Sequence, residues 1–268
     1  MSDPILLDIR DGLARLTLNR PQRLNAFNKD LSEAFTTAAV SVTSRDDVGA
    51  ILIDATGPAF CAGGDVLDMA TAMRTGSQLE ALAKVINTGL SALTQSSIPV
   101  VAAAHGTTAG GGLGVLLSSD YAVVGADSRI GSLYANIGLT PDLTVTAQLA
   151  RAVGERRALQ LVLQDRLLTA REALDWGLVA EVVAGADAPD AAVLADAVRA
   201  RAEDVARFWL GGAHGAYGQA KRLVRSSAES SYADQLDDEA RTIGAMFDTD
   251  DARARVAAFA AASARRSG

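Results

Sequence analysis

Residues 98–131 read IPVVAAAHGTTAGGGLGVLLSSDYAVVGADSRIG. Pro99 opens a short apolar run ending at His105-Gly106, the pattern of a strand buried on both faces. Gly110, Gly111 and Gly112 then lead into an apolar helical stretch, and YAVVGADSRIG supplies a further strand pair. Strand, helix and strand in this order imply a crossover, since parallel neighbours cannot be joined by a tight turn. The flanks repeat the theme. Residues 29–44 place apolar side chains at helical spacing, AILIDATG (50–57) is β-rich, and residues 77–95 are helical again. The expected class is therefore α/β with a largely parallel sheet.

Further out, ILLDIR and LARLTLN flank Asp11-Gly12, a dipeptide that supplies positive φ for a two-residue turn, so residues 5–19 predict a β-hairpin. Thr169-Ala-Arg-Glu172 is a capping box, Gly177 ends its helix, and LVAEVV continues as a strand. From about Asp187 the chain reads as wholly helical, with AGADAPDA (184–191) as a hinge. Two regions are expected: a core over 1–190 and a helical region over 191–268.

Composition narrows the function. Hydrophobic residues make up 49% of the 268 and charged residues 21%, which excludes disorder, and no apolar run reaches the ~20 residues of a membrane span. A net charge of −7 argues against a nucleic-acid partner, whose phosphates need a basic surface. One cysteine and two histidines offer neither a disulfide nor a metal cluster. The amino terminus MSDPILLDIR lacks a basic leader and a cleavage site, so the cytoplasm is the expected compartment. An anionic ligand would need local positive charge, for which Arg23, Arg253 and Arg265 are candidates.

The chemistry points to two glycine-rich turns, FCAGGD (60–65) and HGTTAGGGLG (105–114). Singly, each reads as tight packing of a strand against a helix, and neither fits a P-loop or a dinucleotide fingerprint. Together they can aim two backbone N–H donors at one oxygen, as an enzyme needs when a thioester carbonyl becomes an enolate. Asp65 is also a natural N-cap for the helix that follows it. Cys61 has no sequence neighbour that would activate its thiol.

These turns, with LTLNRPQRLNAFN (16–28), GPAFCAGGDVLDM (57–69), ANIGLTPD (135–142), LARAVGERRALQL (149–161) and LTAREALDWGLVAEVV (168–183), resemble the crotonase, or enoyl-CoA hydratase/isomerase, superfamily. The resemblance implies a spiral of ββα units and a helical C-terminal region that assembles a homotrimer or a dimer of trimers. It implies an acyl-CoA substrate in which coenzyme A is part of the reactant, with no separate cofactor. It also implies an oxyanion hole from the N–H groups of Ala62 and Gly111, with coenzyme A along Arg23, Leu24, Ala62, Asp65 and Val66.

Departures from the family pattern select the reaction. The two glutamates of the hydratases fall at Gly114 and Tyr134 here, which removes the usual machinery for adding water. Asp142 instead matches the carboxylate position of dienoyl-CoA and epoxyphenylacetyl-CoA isomerases. Its alternative role is to cap the helix starting near TVTAQLAR, and Thr144-Val145 stands where those isomerases have a glycine pair. Aryl-CoA dehalogenases share the aspartate but need a histidine where this chain has Asn87. Tyr134 reads as acyl-pocket lining or as a proton donor, His105 as a hydrogen-bonded structural residue, and Trp176 as core. The leading expectation is an enoyl-CoA isomerase using Asp142 as acid/base. A hydratase with atypical residues, a dehalogenase-like hydrolase and a noncatalytic coenzyme A-binding protein are the alternatives.

Overall fold

The computed structural model describes residues 3–164, 166–184 and 190–266. Strands β1 (Ile5–Arg10) and β2 (Leu13–Leu18) pair antiparallel across Asp11 and Gly12, at φ 50° and 77°. Two successive left-handed residues match the natural twist of a hairpin. Helix α1 (Lys29–Thr43) is capped by the Asn28 side chain, which accepts from the Leu31 N–H. The chain then returns as β3 (Ala50–Ala55), parallel to β2. Helices α2 (Val66–Ala72) and α3 (Gly76–Gln95) cross over to β4 (Val100–Ala104), and β5 (Thr107–Ala109) and α4 (Gly111–Ser118) lead to β6 (Tyr121–Gly125) and β7 (Arg129–Gly131). After α5 (Val145–Val153), α6 (Glu155–Leu163), β8 (Leu167–Thr169), α7 (Ala170–Asp175) and β9 (Glu181–Val183), the chain ends in α8 (Ala191–Gly211), α9 (His214–Ser226), α10 (Tyr232–Phe247) and α11 (Asp250–Arg266).

The large sheet has the order β1-β2-β3-β4-β6-β9 and is parallel except for the first pair. Its central strands β3 and β4 are buried along their whole length because both faces are covered, and the one charge among their residues, Asp54, is paired with Arg15 of β2 at 2.6 Å. Leu16, Ile51, Ile53 and Ala102 face Leu31, Phe35, Leu90 and Leu113 in one core cluster. The alternate residues Leu52, Val101, Ala103 and Val123 face Leu194, Val198, Ala202 and Val205 of α8 in the other. Each large apolar side chain so buried contributes about 1.5–3 kcal/mol. Thus α8 forms a layer on the sheet while α9 to α11 lie beyond it.

A second sheet, β5-β7-β8, corrects one expectation: the strands of YAVVGADSRIG do not pair with each other. Instead β6 lies beside β4, and β7 runs parallel to β5 and antiparallel to β8. The three-residue partners β5 and β8 are too short to show an alternation. The capping box is present, with Thr169 Oγ1 accepting from the Glu172 N–H at 3.2 Å and Glu172 Oε2 accepting from the Thr169 N–H at 2.8 Å. The hinge expected at 184–191 falls largely on 185–189, outside the described residues. No helix among the described residues is long and apolar enough to cross a membrane.

Candidate active site

The turn at 60–65 is stitched to the small sheet. The Cys61 N–H donates to the Thr107 carbonyl at 3.2 Å, and the Ala109 N–H donates to the Cys61 carbonyl at 2.9 Å. Gly63, at φ 112°, packs on the second turn, where a Cβ would come within 3.1 Å of the Ala109 oxygen and 3.5 Å of the Gly111 nitrogen. Only glycine allows both the backbone angle and this approach. The peptides after Gly63 and Gly110 therefore lie side by side.

The structure corrects one of the two expected donors. Leu24 and Asn25 are both left-handed, and the Asn25 side chain fixes this bend by accepting from the Arg20 N–H at 2.7 Å. The bend presents the Leu24 carbonyl to Ala62, whose N–H donates to it at 3.0 Å and is thereby consumed. Two residues on, a bridge pairs Phe27 with Gly64: the Phe27 N–H goes to the Gly63 oxygen at 2.7 Å, and the Asp65 N–H to the Phe27 oxygen at 2.8 Å. In such a bridge the groups of residue 64 itself face the other way. Gly64 and Gly111 both line one cleft, and their N–H groups have no acceptor among the described residues. Gly111 is the first residue of α4, so its free N–H also carries the positive end of that helix.

This cleft, about 350 Å³, is walled by Phe27, Met69, Leu82, Ile86, Leu139 and Leu143, and it holds Tyr134 and Asp142. The Tyr134 hydroxyl donates to Asp142 Oδ1 at 2.6 Å. Burial pushes the Asp142 carboxyl above its ordinary value, against the lowering effect of that hydrogen bond. Burial, then the charge of Asp142, pushes the Tyr134 phenol up as well, so it remains protonated and serves as a donor. Asp142 does not cap α5 with its side chain. Thr144 holds the N-cap position, and the Val145 N–H bonds the Asp142 backbone oxygen at 3.0 Å.

Asp65 caps α2, accepting from the Asp68 N–H at 3.2 Å, and it also binds Arg23 at 2.6 Å and Arg20 at 3.0 Å. The hydrogen bond from Arg23 is the largest cause that holds its carboxyl down at about 2. Both oxygens are thus occupied, and Asp65 anchors the 20–24 segment rather than facing solvent. Arg20 has no signal in the sequence, because its partner lies 45 residues away. Leu24 and Val66 flank the anchor with exposed side chains. A depressed carboxylate pKa adds stability above the unfolded value near 3.8, and this is lost as pH falls toward about 2. Asp65→Asn is expected to cost on the order of 2 kcal/mol in urea unfolding at pH 7, with a smaller cost as the pH drops below about 4.

Other sequence candidates lie elsewhere. His105 is buried, with Nε2 at 2.8 Å from the Gly57 oxygen, and burial lowers its pKa. Cys61 is buried, its thiol is pushed up to about 12, and it contacts the Asn25 carbonyl oxygen. Asn87 is exposed on α3, and no histidine lines the cleft that holds Asp142 among the described residues. Trp176 packs on the core, with Arg157 and Arg166 at 5.6 and 5.8 Å from its ring. Arg253 pairs with Asp248, and Arg265 bonds the Ala261 oxygen within α11. A larger cleft, about 510 Å³, opens beside α9, but its buried Lys221 is held by the Leu93 and Ile98 oxygens and by Asp120.

Residues 8–264 match the model of the family described as enoyl-CoA hydratase/isomerase. A Mycobacterium leprae protein named "probable enoyl-CoA hydratase" is 32% identical over 96% of this chain and 95% of its own. The trans-2-decenoyl-[acyl-carrier-protein] isomerase of Streptococcus mutans is 34% identical over 66% of this chain and 68% of its own. The crystal structure of an enoyl-CoA hydratase from Mycobacterium smegmatis superposes with a TM-score of 0.84 at 27% identity, covering 96% of this chain and 95% of that one.

Proposed function

Because the chain belongs to the enoyl-CoA hydratase/isomerase family, we propose that it binds an acyl-CoA thioester and moves a carbon–carbon double bond within the acyl chain. The carrying observation is the half-buried carboxylate of Asp142 in the same cleft as two unengaged N–H donors, Gly64 and Gly111, while the other carboxylate lining it, Glu80, is exposed and paired with Lys84. A 3-enoyl thioester placed with its carbonyl oxygen on those donors would expose C2 to Asp142. The carboxylate takes the C2 proton, the C–H electron pair forms a C1–C2 double bond as the carbonyl π pair moves to oxygen, and the dienolate oxygen rests on the two amides while C3=C4 is still in place. As C1=O re-forms, the C1–C2 pair becomes the C2–C3 double bond and the C3–C4 pair is freed to bind hydrogen at C4. The same proton then returns to C4, giving the 2-enoyl thioester with no net change in atoms. Burial makes Asp142 a stronger base than an exposed carboxylate, and the apolar walls suit an alkyl or alkenyl chain.

Coenzyme A runs, in this reading, along Arg23, Leu24 and Val66, with Asp65 holding Arg23 in place. A homotrimer or dimer of trimers is favoured by the exposed Phe208, Val224, Ile243 and Phe259 on the C-terminal helices. Hydration with Asp142 as sole acid/base is the second reading, favoured by the relatives named as hydratases. Incubation with 3-enoyl-, 2-enoyl- and aryl-CoA thioesters, followed by product NMR, decides among them. Double-bond migration is the expected result. Water addition without migration selects the second reading, and coenzyme A binding without turnover of any member overturns both.

A further inference from the structure

Resting on the isomerase reading, we infer that positions 114 and 134, where hydratases of the family carry glutamate, act here as the two supports that aim Asp142 into the cleft. One support is an absence of side chain. Gly114 is buried on α4, and a Cβ there would lie 2.2 Å from the Leu143 oxygen and 3.0 Å from the Leu143 Cβ. The backbone just after Asp142 therefore occupies the volume that any residue other than glycine would claim. A glutamate at 114 and the observed path of residues 142–144 cannot coexist.

That path is costly by itself. Leu143 and Thr144 are both left-handed, at φ 48° and 65°, and each costs roughly 1–2 kcal/mol for a residue with a Cβ. Such a turn persists only where its surroundings over-determine it. Here Leu143 is 5% exposed and packed in the core, and its carbonyl fills the hollow at Gly114. The other support is Tyr134, whose hydroxyl holds Asp142 Oδ1 at 2.6 Å and leaves Oδ2 with no side-chain partner among the described residues. The exchange of one catalytic carboxylate for another is thus a packing event: the loop advances into space that the helix has vacated.

The groups that face Asp142 are few. Tyr134 touches it, Glu80 of α3 with its partner Lys84 lines the same cleft, and Cys61 lies near Tyr134. Helix α4 brings no titratable side chain, and Arg151 of α5 lines the larger cleft instead. The supports then predict opposite shifts. Tyr134→Phe removes a donor to the ionised form, so Asp142 titrates at higher pH than in the unaltered protein. Gly114→Ala displaces residues 142–144 toward solvent, so Asp142 titrates at lower pH.

The test is ¹³C NMR titration of the aspartate carboxyl groups in the unaltered protein and both variants, with the Asp142 signal assigned through Asp142→Asn. Beside the opposite shifts, kcat for double-bond migration is expected to fall about 100-fold in Gly114→Ala, the effect of roughly 1 Å of misplacement. An Asp142 signal that does not move in Tyr134→Phe overturns the inference, and so does a rise in Gly114→Ala. Should Gly114→Ala not fold, the direction of the Tyr134→Phe shift decides alone. The titration needs no substrate, so a protein that turns over no enoyl thioester sinks the isomerase reading while the two supports are still measured.

Discussion

Asp142→Asn is expected to lower kcat for double-bond migration by about 10²–10⁴-fold, the usual contribution of a positioned acid/base group. Asparagine has nearly the same shape and can still accept from the Tyr134 hydroxyl through its side-chain oxygen, so KM for the thioester should stay within about twofold. The pH profile of the unaltered protein carries the same signature. Burial raises the Asp142 pKa, so the rate falls as pH drops through a value above that of a solvated aspartate. Stability moves the other way. The native state holds the Asp142 proton more tightly than the unfolded chain does, so stability from this group is fully present below the unfolded pKa and declines as pH rises through the folded one. At pH 7 Asp142→Asn is therefore expected to unfold at equal or higher urea concentration than the parent. A slower yet no less stable protein separates loss of a base from loss of fold. Undiminished migration in the variant would remove Asp142 from the mechanism.

The features legible in the sequence are those whose cause is local. Asp11-Gly12 specifies its hairpin because a two-residue connection needs two left-handed residues and this dipeptide adopts them readily. Thr169 and Glu172 specify their cap because both partners lie within one turn. The helix over 191–211 shows its apolar spacing, but that spacing does not say what Leu194, Val198, Ala202 and Val205 cover; the answer, alternate residues of β2, β3, β4 and β6, is set by topology. That the Ala62 N–H is engaged by Leu24 while that of Gly64 is not escapes the sequence for a related reason. Which N–H of FCAGGD turns to the cleft is fixed by the bridge of Phe27 to Gly64 and by the bend at Leu24 and Asn25, both far away in the chain. Arg20 with Asp65, and Tyr134 with Asp142, follow the same rule: each residue type is visible, while the pairing exists only after folding.

Gly111→Pro is the second large effect, and it tests the amides themselves. A backbone donor cannot be removed by changing a side chain, but proline has no N–H, and the first residue of a helix is where proline is best tolerated. Gly110 precedes it at φ 52° and ψ −124°, outside the α region that a following proline disfavours. The added Cβ would lie 2.8 Å from the Leu143 Cδ1, the far end of a side chain that can rotate, so the fold should survive. One of the two donors is then gone, and a ¹³C titration of Asp142 that matches the parent's shows that the shifted Leu143 side chain has not moved its neighbour. The expected loss is about 10²–10³-fold in kcat, the measured worth of one oxyanion-hole donor in a protease. A nonreactive thioester whose carbonyl oxygen gathers no negative charge should lose far less in affinity, because the amide matters most where charge develops. Equal losses for the inert and the reacting thioester would mean that the Gly111 amide only helps to hold the ligand, and the enolate chemistry assigned to this cleft would fail with it.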